Sequence, residues 1–110
     1  MTTVVIRKDK KGSYRGFYCM GHAGYAGKGR PDVLCAAVSA LTIGTVNSLE
    51  ALAGESITTA QDEEAGFLRC DFESELQEKS SFLMDSMVFS LENISREYGD
   101  RYLQVKFEEV

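Results

Sequence analysis

Apolar residues alternate with polar ones near both ends of the chain and fall into helical spacing in two long stretches between. Residues 3–8, Thr3-Val4-Val5-Ile6-Arg7-Lys8, are rich in β-branched side chains and predict a strand. Asp9-Lys10-Lys11-Gly12 predicts a turn, with Gly12 free to take positive φ. Residues 13–20 predict a second strand, and alternation puts Tyr14, Tyr18 and Met20 on one face and Phe17 and Cys19 on the other. The two strands are close enough in sequence to form a hairpin. A glycine-dense loop follows from Gly21 to Pro31.

From about residue 33 to 53 the pattern predicts a long helix, with Asp32 as its N-cap and Pro31 just outside it. Leu34, Val38, Leu41, Ile43, Val46, Leu49 and Leu52 make it apolar most of the way round, which predicts burial on more than one side. Gly44, in its middle, is a candidate for close packing against a neighbour, and Gly54 ends it. Residues 56–61 and 66–72 predict two further strands joined by a turn at Asp62-Glu63-Glu64. A second helix is expected over residues 76–97, with Leu83, Met87, Leu91, Ile94 and Tyr98 as its apolar stripe. After Gly99-Asp100, a last strand alternates Leu103, Val105 and Phe107 inward with Gln104 and Lys106 outward. The order is ββαββαβ. Hairpin connections favour a mainly antiparallel sheet, and two helices packed on it give an α+β fold.

The 110 residues suit a single domain, expected over residues 1–110, and its modest core makes dimerisation a natural addition. A net charge of -5 argues against a nucleic-acid surface and is compatible with a cationic protein substrate. The N-terminus lacks the basic start and apolar run of a signal peptide, and no apolar stretch is expected to meet the requirements of a membrane span. Cys19, Cys35 and Cys70 form no CxxC pair, and free thiols without a signal point to the cytoplasm. One histidine with scattered cysteines has no zinc-type spacing, so neither metal nor cofactor is expected. The glycine loop matches neither phosphate-binding pattern.

The chemistry concentrates around the lone histidine, His22, and Cys35. With Asp32 as N-cap, Cys35 falls in the first helical turn, where free N–H groups and a partial positive charge favour thiolate. The same N–H groups are candidates to hold an oxyanion. His22 within reach would accept the thiol proton and return it to a leaving amine. A second reading makes Cys35 a small core hydrophobe and His22 an ordinary loop residue. Asp32 either caps the helix alone or also orients His22. Ser39, one turn beyond Cys35, faces the same side and bonds the thiol, the imidazole or its own backbone. Gly21, Gly24, Gly27 and Gly29 serve as turn residues or as parts of a flap that closes on substrate, and Tyr25 stacks on substrate or anchors the loop. Cys19 and Cys70, both in predicted strands, are expected to be inert.

The block Gly21-His22-Ala23-Gly24-Tyr25-Ala26, followed by Asp32-Val33-Leu34-Cys35-Ala36-Ala37-Val38-Ser39-Ala40-Leu41, closely resembles the signature of the bacterial ribosomal-processing cysteine proteases, the Prp family. The resemblance extends over nearly the whole chain. It implies that Cys35 is the nucleophile and His22 the general base, with Asp32 and Ser39 in support. It implies a small homodimer with an α/β sandwich. It also implies removal of the N-terminal extension of a basic large-subunit ribosomal protein, number twenty-seven, by cleavage after an aromatic residue. The link Ala26–Pro31 looks longer than the family's usual form, which bears on loop closure and not on the pair.

Two other functions compete with a site-specific endopeptidase. A non-catalytic ribosome-assembly factor would bind a ribosomal protein through the same loop without changing its mass. A thiol redox sensor would use Cys35, although no resolving cysteine lies nearby in sequence.

Overall fold

In the computed structural model, residues 1–24 and 32–110 are described. The elements run β1 (Thr2–Lys8), β2 (Tyr14–Met20), α1 (Val33–Ala51), β3 (Ile57–Asp62), β4 (Phe67–Phe72), α2 (Glu78–Tyr98) and β5 (Leu103–Glu109). The expected α+β order is therefore present. The five strands form one sheet in the order β3-β4-β2-β1-β5. Three pairings are antiparallel, and β5 joins the edge of β1 in parallel after the α2 crossover.

Pairing aligns side chains in rows. Val4, Cys19 and Leu68 form one inward row, and Ile6, Phe17 and Cys70 another. These residues share a core with Val38, Val46 and Leu49 of α1 and with Met84, Met87, Val88 and Leu91 of α2. Both helices thus cover this face of the sheet. The opposite face carries ion pairs: Arg7 Nη1 lies 2.8 Å from Asp71 Oδ1, and Arg69 Nε lies 2.7 Å from Asp71 Oδ2.

Tyr14 departs from simple alternation. The β1–β2 register slips between Arg7 and Lys8, so that Arg7 pairs with Gly16 but Lys8 with Tyr14. The extra residue in β2 turns Tyr14 to the core face, where it is buried and its hydroxyl donates to Asp85 Oδ1 of α2 at 2.5 Å. Burial, and then the Asp85 carboxylate, push the Tyr14 hydroxyl's ionisation well above the usual tyrosine range. Phe107 keeps its inward parity but is 53% exposed, because β5 there runs on the sheet's outer edge.

The first helix is less buried than its composition suggests. Its buried residues, Leu34, Val38, Thr42, Val46 and Leu49, form a single stripe. Gly44 has no neighbour within 4 Å of where a Cβ would sit, so it packs against nothing described. Contrary to the sequence expectation, α1 is long and apolar enough to cross a membrane, at 19 residues and mean hydropathy 1.4. Its stripe is nonetheless locked into the core of the sheet, which makes it a core helix.

The second helix is capped from a distance. Gln77, its N-cap, makes no side-chain cap bond of its own. Glu55 Oε2 instead accepts the Gln77 N–H at 3.0 Å, while Gln77 Nε2 donates to Ala53 O at 2.9 Å. The link after α1 is thereby fastened to the start of α2. Glu55's carboxyl is held below the usual carboxylate range by the adjacent Ser80 hydroxyl and then by Gln77; Ser80 Oγ is buried and reaches no partner in full hydrogen-bond geometry.

Candidate active site

His22 emerges directly from the end of β2, and Cys35 lies in the first turn of α1. The exit from β2 is pinned by Thr2, whose Oγ1 donates to Gly21 O at 3.2 Å. Gly21 has φ 88°, and a Cβ there would lie 2.4 Å from Met1 O. The position therefore requires glycine if His22 is to leave the strand in this direction.

Asp32 caps α1 as its position predicts. Its backbone is extended, and its Oδ1 accepts the Cys35 N–H at 2.9 Å. Its carbonyl accepts the Ala36 N–H at 3.0 Å. Together these contacts orient the first turn so that Cys35 Sγ stands 3.9 Å from His22 Nδ1. That is a long but direct contact, of the kind that shortens when substrate binds. The other ring nitrogen, Nε2, lies 3.1 Å from Glu64 O in the turn between β3 and β4.

The cap changes one expectation. The Cys35 N–H, one of the first-turn donors expected to be open to an oxyanion, is already bonded to Asp32 Oδ1. The other N–H groups of the first turn are those of Val33 and Leu34. Asp32's described contact is to the helix, and the group on the far side of the imidazole is the Glu64 carbonyl. Ser39 lines the same cleft, but no hydrogen bond joins its hydroxyl to Cys35 or His22 among the described residues.

The pair opens into a cleft of about 280 Å³. Its walls include Val38, Ser39 and Ile43 of α1, Gln61 and Glu63 before and in the β3–β4 turn, and Phe67 and Leu68 of β4. Gln61 pairs with Leu68 and so continues the inward row, yet it is exposed. The lining is largely apolar, and Glu63 is its one carboxylate among the described residues. No group of three or more His, Cys, Asp or Glu side chains converges on a metal-sized point among the described residues.

The other two thiols sit in a different environment. Cys19 and Cys70 are 6% and 0% exposed. Burial pushes each thiol up to about 12, so both stay protonated near neutral pH. Cys35 alone is partly open. Gly21 lines the cleft, and Gly24, with φ 69°, continues the turn after it. Tyr25, Gly27 and Gly29 of the expected substrate loop lie outside the described residues.

Comparison with known proteins follows the same lines. Residues 1–104 match the family model described as cysteine protease Prp. The chain is 33% identical over 104 residues to the ribosomal processing cysteine protease Prp of Bacillus subtilis, covering 91% of this chain and 92% of that protein. It is 27% identical over 100 residues to the Staphylococcus aureus protein of the same description, covering 91% and 93%. The crystal structure of the S. aureus protease with a covalently linked product peptide superposes with a TM-score of 0.89 at 25% identity, covering 98% of this chain and all of that one. A Streptococcus mutans structure shares the fold, with a TM-score of 0.82 at 24% identity and coverage of 100% and 99%.

Proposed function

Because this chain belongs to the Prp family of ribosomal processing cysteine proteases, we propose that it cleaves the N-terminal extension from a large-subunit ribosomal protein, number twenty-seven, using Cys35 and His22. The observation that carries this reading is the 3.9 Å approach of Cys35 Sγ to His22 Nδ1 at the mouth of an apolar cleft.

The chemistry proceeds in two halves. His22 Nδ1 takes the Cys35 proton as the sulfur adds to the scissile carbonyl. The carbonyl oxygen gains negative charge beside the positive end of α1. His22 then gives the proton to the leaving amine, the C–N bond breaks and a thioester remains. Water, deprotonated by His22, adds to the thioester; the C–S bond then breaks, His22 returns the proton to sulfur, and the acid is released with the thiol restored. The covalently linked product peptide of the S. aureus relative supports a covalent route in the family. Asp32 holds Cys35 in place through its backbone, and Ser39 borders the substrate channel.

The cleft supports selection of an aromatic residue before the cut. Val38, Ile43, Phe67 and Leu68 offer apolar walls of suitable breadth for a ring. Glu63 at the rim and the net charge of -5 favour a basic chain. We read the protein as one cysteine protease domain acting in the cytoplasm as a homodimer. Exposed apolar side chains at the two ends of α1 support the dimer: Val33 is 68% exposed and Leu52, the C-cap, 77%.

The test is to incubate the protein with the extended ribosomal protein and, separately, with casein, and to follow both by mass spectrometry. Cleavage at a single site in the first and none in the second is expected. Equal cleavage of both contradicts a dedicated processing enzyme, and binding without mass change favours a non-catalytic assembly factor.

A further inference from the structure

Resting on that reading of Cys35 and His22, we infer that the turn between β3 and β4 is the element that orients the histidine: the Glu64 carbonyl fixes its tautomer, and Gly66 is a positioning residue that lets the turn reach it. A carbonyl oxygen only accepts hydrogen bonds. The 3.1 Å contact between His22 Nε2 and Glu64 O therefore requires the proton on Nε2. In the neutral ring this leaves Nδ1 bare, and Nδ1 is the nitrogen that faces Cys35 Sγ. The contact thus selects the one tautomer able to accept the thiol proton. When His22 is doubly protonated, the same carbonyl stabilises the cation, which is the state needed beside a thiolate.

The carbonyl can stand there only because of the residue two positions on. Gly66 has φ +66° and packs flush against the histidine's own segment. A Cβ at Gly66 would lie 2.7 Å from Gly21 O, 2.9 Å from Gly21 C and 3.0 Å from His22 Cε1. Two of those atoms are backbone, so any side chain here pushes the turn and the imidazole apart. The turn is shaped from within by the Gly66 N–H bonded to Glu63 O at 3.1 Å and the Ala65 N–H bonded to Asp62 Oδ1 at 3.2 Å. A main-chain acceptor on a neighbouring hairpin takes the place that a carboxylate holds in a three-residue catalytic arrangement.

The chain has a single histidine, so its nitrogens can be followed without assignment ambiguity. With ¹⁵N-labelled histidine, nitrogen NMR at a pH where the ring is neutral is expected to show Nε2 protonated and Nδ1 bare in the unmodified protein. Gly66→Ala is expected to give a mixture of tautomers. It should also lower kcat on the order of 10- to 100-fold with KM nearly unchanged, as expected for a misplaced catalytic group. Asp62→Ala, which loosens the turn without adding a side chain, should shift the tautomer mixture in the same direction, and Asp62→Asn, which keeps an acceptor, should restore it. An Nδ1-protonated ring in the unmodified protein overturns the inference. So does a Gly66→Ala protein with unchanged spectrum and kcat. If Gly66→Ala does not fold, an unchanged spectrum in Asp62→Ala overturns it instead. The spectrum is read without substrate, so failure of the protease reading, seen as cleavage that survives loss of Cys35, is a separate result.

Discussion

Cys19, Cys35 and Cys70 carry the same thiol into three settings, and the settings decide its chemistry. Cys19 and Cys70 face the core with their thiols pushed up to about 12 by burial. Cys35 opens on the cleft beside an imidazole. Iodoacetamide near neutral pH is therefore expected to modify Cys35 first, with peptide mapping as the readout. Preferential modification of Cys19 or Cys70 would count against the site. The place of Cys35 was legible in sequence because an N-cap aspartate three residues before a cysteine puts it in a first helical turn, whereas its pairing with His22 came from the resemblance of the motif block. The Glu64 contact was not legible, since a backbone carbonyl has no letter of its own. Gly66 read only as the first residue of a strand; its approach to Gly21 and His22 arises from the pairing of β4 with β2, a tertiary fact. Asp32 was correctly read as a cap, but its cost to the oxyanion site, the occupied Cys35 N–H, emerges only from the bond it makes.

Among the elements, the α2 cap carries a pH-dependent prediction. Glu55's carboxyl is held below its ordinary value by Ser80 and Gln77, so its folded-state pKa lies under its unfolded one. Its contribution is then fully present above the unfolded value of about 4.3 and is lost as pH falls through the folded one. Urea unfolding should find Glu55→Ala less stable by about 1 kcal/mol at neutral pH, the usual size of an N-cap. The difference should shrink progressively as pH falls below the unfolded value. An undiminished difference in acid would exclude the ionised cap. In α1, Leu49 is fully buried, and Leu49→Ala should cost roughly 2–5 kcal/mol in the same assay. Element boundaries followed from periodicity closely. Tyr14 escaped it because a bulge adds one residue to β2 and reverses parity beyond that point. The all-round apolar character of α1 suggested burial on several sides, yet one chain supplies only one covering surface.

For the molecule as a whole, the order of elements and the antiparallel hairpins were readable from turns and alternation. The parallel seating of β5 beside β1 was not, because it depends on where α2 carries the chain. The apolar side chains left open at the ends of α1 set an expectation at this scale: light scattering at micromolar concentration should give the mass of two chains. A monomer there would leave Val33 and Leu52 uncovered and count against the dimer. The central claim concerns one sulfur and one imidazole, and the most direct measurement is intact-mass analysis of the extended ribosomal protein after incubation with the unmodified protein, Cys35→Ala and His22→Ala, each checked for an unchanged fold. Loss of the extension is expected with the unmodified protein, none with Cys35→Ala, and a rate reduced at least on the order of 100-fold with His22→Ala. Full processing by either variant would contradict the claim.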